Sequence, residues 1–138
     1  MNSAFVLDSF ALLALLGGEP GAEDVVDLLR KAQRREIRLL MTWVNIGEMA
    51  HIVERRWGRE RLYAALATME ATPLEIEPVE RDLALAAGHI KAKYPVAYAD
   101  AFAAAVARHH SAALVTGDPE FRLLEELVEI HWLPQRQS

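Results

Sequence analysis

The segment AYADAFAAAVARHHSAALVTGDPEF, residues 97–121, decides the fold. Its first eleven residues are small or apolar on every side except at Asp100. A helix apolar all round is a buried one, so the pattern predicts an internal helix over 98–110. The apolar run at 113–116 then reads as a buried strand, ended by Gly117, Asp118 and Pro119. Asp is a favoured N-cap, Pro suits the first helical position, and Glu120 favours the positive end of a helix. A short helix is therefore expected from Pro119. Whether Asp118 only starts that helix or also carries chemistry depends on its company.

Working outward, the same alternation recurs. AFVLD (4–8) reads as a short buried strand, with Ser9 placed to cap a helix through Leu16. Gly17, Gly18, Pro20 and Gly21 form a loop, and residues 22–35 a helix with Val25, Val26, Leu28 and Leu29 on its apolar side. IRLLM (37–41) is a second strand. Helix follows from Trp43 to Trp57, where Trp43, Ile46, Ala50, Val53 and Trp57 recur at spacings of three and four. Gly58 breaks it and 59–70 resumes. LEIEPV (74–79) reads as a third, more exposed strand, followed by a helix over 80–93 that Pro95 ends. A last strand lies near 128–133. Strands alternating with helices, without hairpin signals, predict parallel strands joined by crossover helices. The expected architecture is a single α/β domain over 1–138.

At 138 residues, 52% hydrophobic and 25% charged, the chain has the make-up of one globular domain with a real core. The absence of cysteine excludes disulfides and thiolate metal sites. No apolar run is long enough to cross a bilayer, and MNSAFVLDSF does not read as a secretory leader, so a cytoplasmic protein without a membrane partner is expected. A net charge of −5, from 15 basic and 20 acidic residues, argues against a general nucleic-acid glue. Arginine is dense only in RKAQRREIR (30–38) and RRWGRER (55–61), each either a solvated helix face or part of a groove for a nucleic-acid backbone.

The acids fall in telling places. Asp8 ends the first strand and Asp118 lies just past the strand 113–116, and ligands of open α/β sheets bind outside the carboxyl ends of strands. Asp100 is the one carboxylate of a buried helix, costly when ionised unless it is paired or holds a metal. The helix dipole relieves it by under about 1 kcal/mol. Glu48 lies opposite the apolar stripe of its helix, beside Asn45 and Arg55, where a solvated face is the plain reading. Glu48 and His51 form a Glu-x-x-His pair, but a di-iron bundle needs that motif twice, on four helices, and it occurs once here. If Asp8, Glu48, Asp100 and Asp118 converge, carboxylates ~4 Å apart repel by roughly 4 kcal/mol at an effective dielectric near 20, so the cluster holds protons or a hard cation. Oxygen ligands alone point to Mg²⁺ or Mn²⁺, and such a site suits phosphodiester hydrolysis.

FVLDSFALLALL (5–16), TWVNIGEMAHIVERRWG (42–58), YADAFAAAVARHHSAALVTGDPEF (98–121) and the closing strand, in that order, resemble a PIN-domain ribonuclease, specifically the VapC-type toxin of a toxin–antitoxin pair. The resemblance implies a three-layer α/β/α fold around a central parallel sheet of four to five strands. It implies Mg²⁺ or Mn²⁺ held among Asp8, Glu48, Asp100 and Asp118, with Glu48 binding directly or through water. Thr116 matches a Ser/Thr position before the last acid. Ser9 follows the first acid and serves as a ligand or a helix cap. Asn45 is added here as a supporting partner one turn before Glu48. Gly117 would leave room for metal or phosphate beside the backbone, and Arg55, Arg56 or Arg59 would meet the RNA. A cognate VapB-type antitoxin, an RNA substrate and a homodimer are implied as partners.

Three rivals belong to other classes. A dehalogenase-like phosphatase would carry a second Asp two residues after Asp8, where Phe10 stands. A receiver-like module would want paired acids after strand one, where Ser9 stands, and a late Lys that the sequence beyond Asp118 does not supply. A PIN fold kept only for binding would not need the full acid set. His109 and His110 end an alanine-rich helix, where imidazolium suits the dipole, and are read as structural.

Overall fold

A computed structural model describes residues 3–134, so residues 1–2 and 135–138 of the expected domain lie outside the described residues. The strands are β1 (Ala4–Leu7), β2 (Arg38–Thr42), β3 (Glu75–Glu77), β4 (Ala113–Thr116) and β5 (Ile130–Trp132). The helices are α1 (Ser9–Gly17), α2 (Ala22–Gln33), α3 (Trp43–Trp57), α4 (Arg59–Glu70), α5 (Arg81–Lys93) and α6 (Tyr98–His109), with a 3-10 turn over Pro119–Leu124. All strand pairs are parallel, in the order β3-β2-β1-β4-β5. The expected alternation and the parallel sheet are both present, at the upper strand number.

Two faces of the sheet follow from the period of two along each strand. Val6, Leu40 and Leu114 point into one core with α5 and α6. Leu7, Leu39, Met41 and Val115 point into the other, with residues of α1 to α4. β1 and β4 are buried almost throughout, as apolar runs between two helical layers must be. In α6 every residue from Asp100 to Ala107 is buried, and its alanines let it lie close to the sheet. The edge strand β3 is instead polar and partly exposed, and Glu75 receives two hydrogen bonds from Arg38 of β2, from Nη2 at 2.8 Å and Nε at 3.1 Å. Charge on an edge blunts pairing with a foreign strand.

The chain steps from β1 through β2 to β3 with α1 to α4 on one face. It then returns across the other face, through α5 and α6, to β4 beside β1. Strand order therefore reverses between β1 and β4, which is where open sheets part their connections and leave a crevice.

Two local expectations change. Trp43 is 54% exposed rather than part of the buried stripe, and Asn45, Ile46, Met49 and Val53 form the buried face of α3. The helix starts at the end of β2, beyond the sheet edge, so its first residue has no layer to cover it. The cap of α1 is Asp8, not Ser9. Asp8 keeps extended backbone (φ −92°, ψ −178°) and its Oδ1 accepts from the Ala11 N–H at 2.8 Å. Ser9 is already helical, and its hydroxyl donates to the Asn45 carbonyl at 3.0 Å.

Gly117 is also explained differently. A Cβ on it would lie 2.8 Å from Cζ of Phe10, so the space beside this backbone is filled by an aromatic ring rather than left for metal or phosphate. This contact locks the turn after β4 onto the start of α1. Gly117→Ala should lower unfolding stability by about 1–3 kcal/mol, the usual cost of overpacking, and Phe10→Leu in the same chain should recover part of it. Urea unfolding reads both, and a single Ala variant as stable as the parent would contradict the packing account.

Candidate active site

The register pairs Leu7 with Val115, so Asp8 stands beside Thr116 at the carboxyl ends of adjacent strands. The Thr116 hydroxyl donates to Asp8 Oδ2 at 2.5 Å and accepts from the Asp118 N–H at 3.0 Å. One buried hydroxyl thus joins the two strand ends. Asp8 is 2% exposed, with one oxygen held by the Ala11 N–H and the other by Thr116. Asp118 does cap the 3-10 turn, its Oδ1 accepting from the Glu120 N–H at 2.9 Å. That bond uses one carboxylate oxygen only, so capping and chemistry are compatible.

Asp100 enters from the first turn of α6 and is 8% exposed. It has no hydrogen-bond partner among the described residues, and no fully enclosed side-chain oxygen lacks one, so its carboxyl opens to the cleft. Burial, then the charges of Glu120, Asp118, Asp8 and Glu48, push it up to about 8. Burial also raises Asp8, against the lowering pull of Thr116 and Ala11 and with further push from Asp118 and Glu48, to about 7. Glu48 is half-buried on α3. Asp8 and Asp100 therefore each feel the charges of Asp118 and Glu48, which brings the four acids singled out from sequence together at the carboxyl edge of the sheet.

A fifth acid was missed. Oxygens of Asp100, Asp118 and Glu120 lie within 4.8 Å of one another. Glu120 follows Asp118 by two residues on a turn whose Phe121 and Leu124 are fully buried, which holds its backbone in place. In the sequence it reads as a plain first-turn acid. The signal that could have raised it was its position beside Asp118 on a turn pinned at both Phe121 and Leu124.

Asn45 is central, though not as a partner of Glu48. It is fully buried. Its Nδ2 donates to the Ala99 carbonyl at 3.1 Å and to Ser9 Oγ at 3.4 Å, while Oδ1 accepts from Thr42 Oγ1 at 3.0 Å. The amide faces inward because α3 presents this side to α6, whereas Glu48 faces the cleft. Arg55, Arg56 and Arg59 are all exposed, and Arg59 Nε lies 3.7 Å from Glu54 Oε1.

A donor set of carboxylate oxygens, converging around a buried acid with no partner of its own, fits a hard divalent cation such as Mg²⁺ or Mn²⁺.

The raised acids have a stability consequence. Asp100 ionises near 3.8 when unfolded and near 8 when folded, so its contribution is fully present below 3.8 and is lost as pH rises through about 8. In EDTA, stability of the parent relative to Asp100→Asn should therefore fall steadily from about pH 4 to about pH 8. Thermal melts of the two proteins across that range read the difference, and a flat or rising difference contradicts the burial of this carboxyl.

A model of the PIN domain family matches residues 5–127. No protein of curated function matches the chain in sequence. Among solved structures, it is similar to VapBC2 from Rickettsia felis, bound to a DNA fragment from its promoter, at 14% identity and a TM-score of 0.76, over 95% of this chain and 99% of that one. VapC20 of Mycobacterium tuberculosis, a toxin cleaving the sarcin-ricin loop, aligns at 20% identity and a TM-score of 0.71, over 96% of this chain and 100% of that one. VapBC-1 from nontypeable Haemophilus influenzae aligns at 20% identity and a TM-score of 0.67, over 94% and 97%. These likenesses describe a shared fold, and with the family model covering nearly the whole sheet and its helices, the chain belongs to the PIN domain family.

Proposed function

We propose that this protein is a divalent-metal-dependent endoribonuclease and the toxin of a toxin–antitoxin pair. The observation that carries the reading is Asp100, a buried carboxyl without a hydrogen-bond partner that faces Asp118, Asp8 and Glu48. Such a group persists where its charge is matched on binding a cation. Asp8, Asp100 and Asp118 would hold Mg²⁺ or Mn²⁺, with Glu48 binding directly or through water. When bound, the ion supplies an activated water and neutralises charge on a phosphodiester.

The chain's own groups have separate tasks. Ala11 N–H and Thr116 Oγ1 fix both oxygens of Asp8, so that carboxyl is set in direction before any ligand arrives. Glu48 makes no hydrogen bond or ion pair among the described residues, which leaves it able to orient a water. Arg55 is seven residues after Glu48, on the same helical side and about 10 Å farther along the axis. It is the best placed of the three arginines to meet the RNA backbone, Arg56 being turned aside and Arg59 engaged with Glu54.

Several structural relatives carry the name VapBC, one of them as a member of the VapBC family of toxin–antitoxin systems, so a VapB-type antitoxin is the partner we assign; an RNA substrate and a homodimer are further parts of the same proposal. Among the described residues no helix is long and apolar enough to cross a membrane, in keeping with action in the cytoplasm.

Purified protein incubated with a cellular RNA pool and Mn²⁺ or Mg²⁺ should cut it, and EDTA should abolish cutting. Asp8→Asn and Asp100→Asn should each slow it by on the order of 10²-fold or more, the scale for losing one preorganised electrostatic group. Cleavage that survives chelation, or both folded variants, sinks the nuclease reading.

A further inference from the structure

The four acids expected from the sequence do not account for the arrangement around Asp100. Asp8 has both oxygens engaged, by the Ala11 N–H at 2.8 Å and by Thr116 Oγ1 at 2.5 Å. Asp118 has one oxygen engaged, by the Glu120 N–H. Glu120 is built in the same manner: Oε1 accepts from the Ala97 N–H at 3.1 Å, leaving Oε2 without a bond among the described residues. Ala97 is the N-cap residue of α6 and Asp100 lies in the first turn of that helix. One side chain thus ties the 3-10 turn to the start of α6 and brings a third carboxylate to Asp100 and Asp118, all three within 4.8 Å.

A cluster of acids alone says little, because exposed carboxylates often gather without a ligand. Here one member is 92% removed from solvent by its 8% exposure, has no hydrogen-bond partner, and opens toward the other two. No Lys, Arg or His lies within ion-pair distance of any of the three among the described residues. An anionic triangle that the protein leaves without a counter-charge, on backbone fixed by Phe121 and Leu124, is matched by a small divalent cation.

We propose that Glu120 is a further direct ligand of the divalent cation, forming a carboxylate triangle with Asp100 and Asp118 to which Asp8 would add its carboxylate from the strand β1 side. The inference rests on the metal-dependent reading above and adds a residue to it. It also assigns Glu120 a second task, since its Oε1 holds the N-terminus of α6 where Asp100 is carried.

Mn²⁺ binding followed by electron paramagnetic resonance of the free ion, without RNA, separates the possibilities. Glu120→Gln keeps an oxygen for the Ala97 N–H but loses the charge. It should weaken Mn²⁺ binding at least fivefold with its melting temperature in EDTA no lower than the parent's. Glu125→Gln, an exposed acid just past the same turn, should change affinity less than twofold. A smaller loss in Glu120→Gln, or an equal loss in Glu125→Gln, overturns the assignment of Glu120 and leaves the nuclease reading standing. A parent that binds no Mn²⁺ overturns both. Should Glu120→Gln fail to fold, Glu120→Ala replaces it; parent-like affinity in a variant with no side-chain oxygen at this position likewise overturns the proposal.

Discussion

The site depends on one buried amide. Asn45 links three segments that are far apart in sequence: Ser9 at the start of α1, Thr42 at the end of β2, and Ala99 in the first turn of α6. Two of these lie next to acids, Ser9 beside Asp8 and Ala99 beside Asp100. A net hydrogen bond contributes only about 1 kcal/mol, but a buried polar group left without its partner costs about 1–3 kcal/mol. Sliding α6 along the sheet would strand Asn45 and the Ala99 carbonyl together. The network therefore sets where Asp100 stands relative to Asp8 more firmly than the alanine surface of α6 could, because small apolar side chains tolerate displacement. Thr116 does the corresponding work between β1 and β4, with one hydroxyl shared by Asp8 and the Asp118 backbone.

Asp8 and Asp100 meet the cost of burial in different ways. Both are driven upward chiefly by loss of water. Asp8 recovers part of that loss from two hydrogen bonds, which favour its ionised form, and comes to about 7. Asp100 recovers nothing from hydrogen bonds and faces four other acids, and comes to about 8. A carboxyl in that setting either keeps its proton or exchanges it for a cation, so cation binding at neutral pH releases protons and strengthens as pH rises. Protons on Asp8 and Asp100 would lower the charge of the site when no cation is bound.

Much of the fold was legible because periodicity is a local property. The helix over 98–110 and the strand over 113–116 came from runs of side chains whose pattern alone tells burial on all sides from burial on one. The acids at strand ends were legible for a related reason, since parallel strands carry their carboxyl ends to one edge. What could not be read were contacts between distant segments. Trp43 fits the helical stripe, yet no spacing rule shows that the layer ends beneath it. Gly117 is small because of Phe10, more than a hundred positions away in the chain. Glu120 gains its place from Ala97, on another element. Asp8 and Ser9 are both good caps by residue type, and only the backbone turn decides that Asp8 caps while Ser9 reaches across to α3.

Charge placement on α3 bears on how an acidic protein would meet the polyanionic substrate proposed for it. Glu48 lies in the helix's second turn and Arg55 and Arg56 in its last. The arginines suit the negative C-terminal end of the helix dipole, so their position has a stabilising explanation that needs no RNA. The dipole does not, however, explain why Arg55 shares the side of Glu48 and makes no ion pair among the described residues, while Arg59 pairs with Glu54 and Arg61 lies over the Trp57 ring at 5.3 Å. In the nuclease reading proposed above, this uncommitted cation, about 10 Å along the helix axis from Glu48, would be spaced to hold a phosphate next to the scissile one. The net charge of −5 would limit general adhesion to RNA, so that attraction in this reading would rest on local cations such as Arg55.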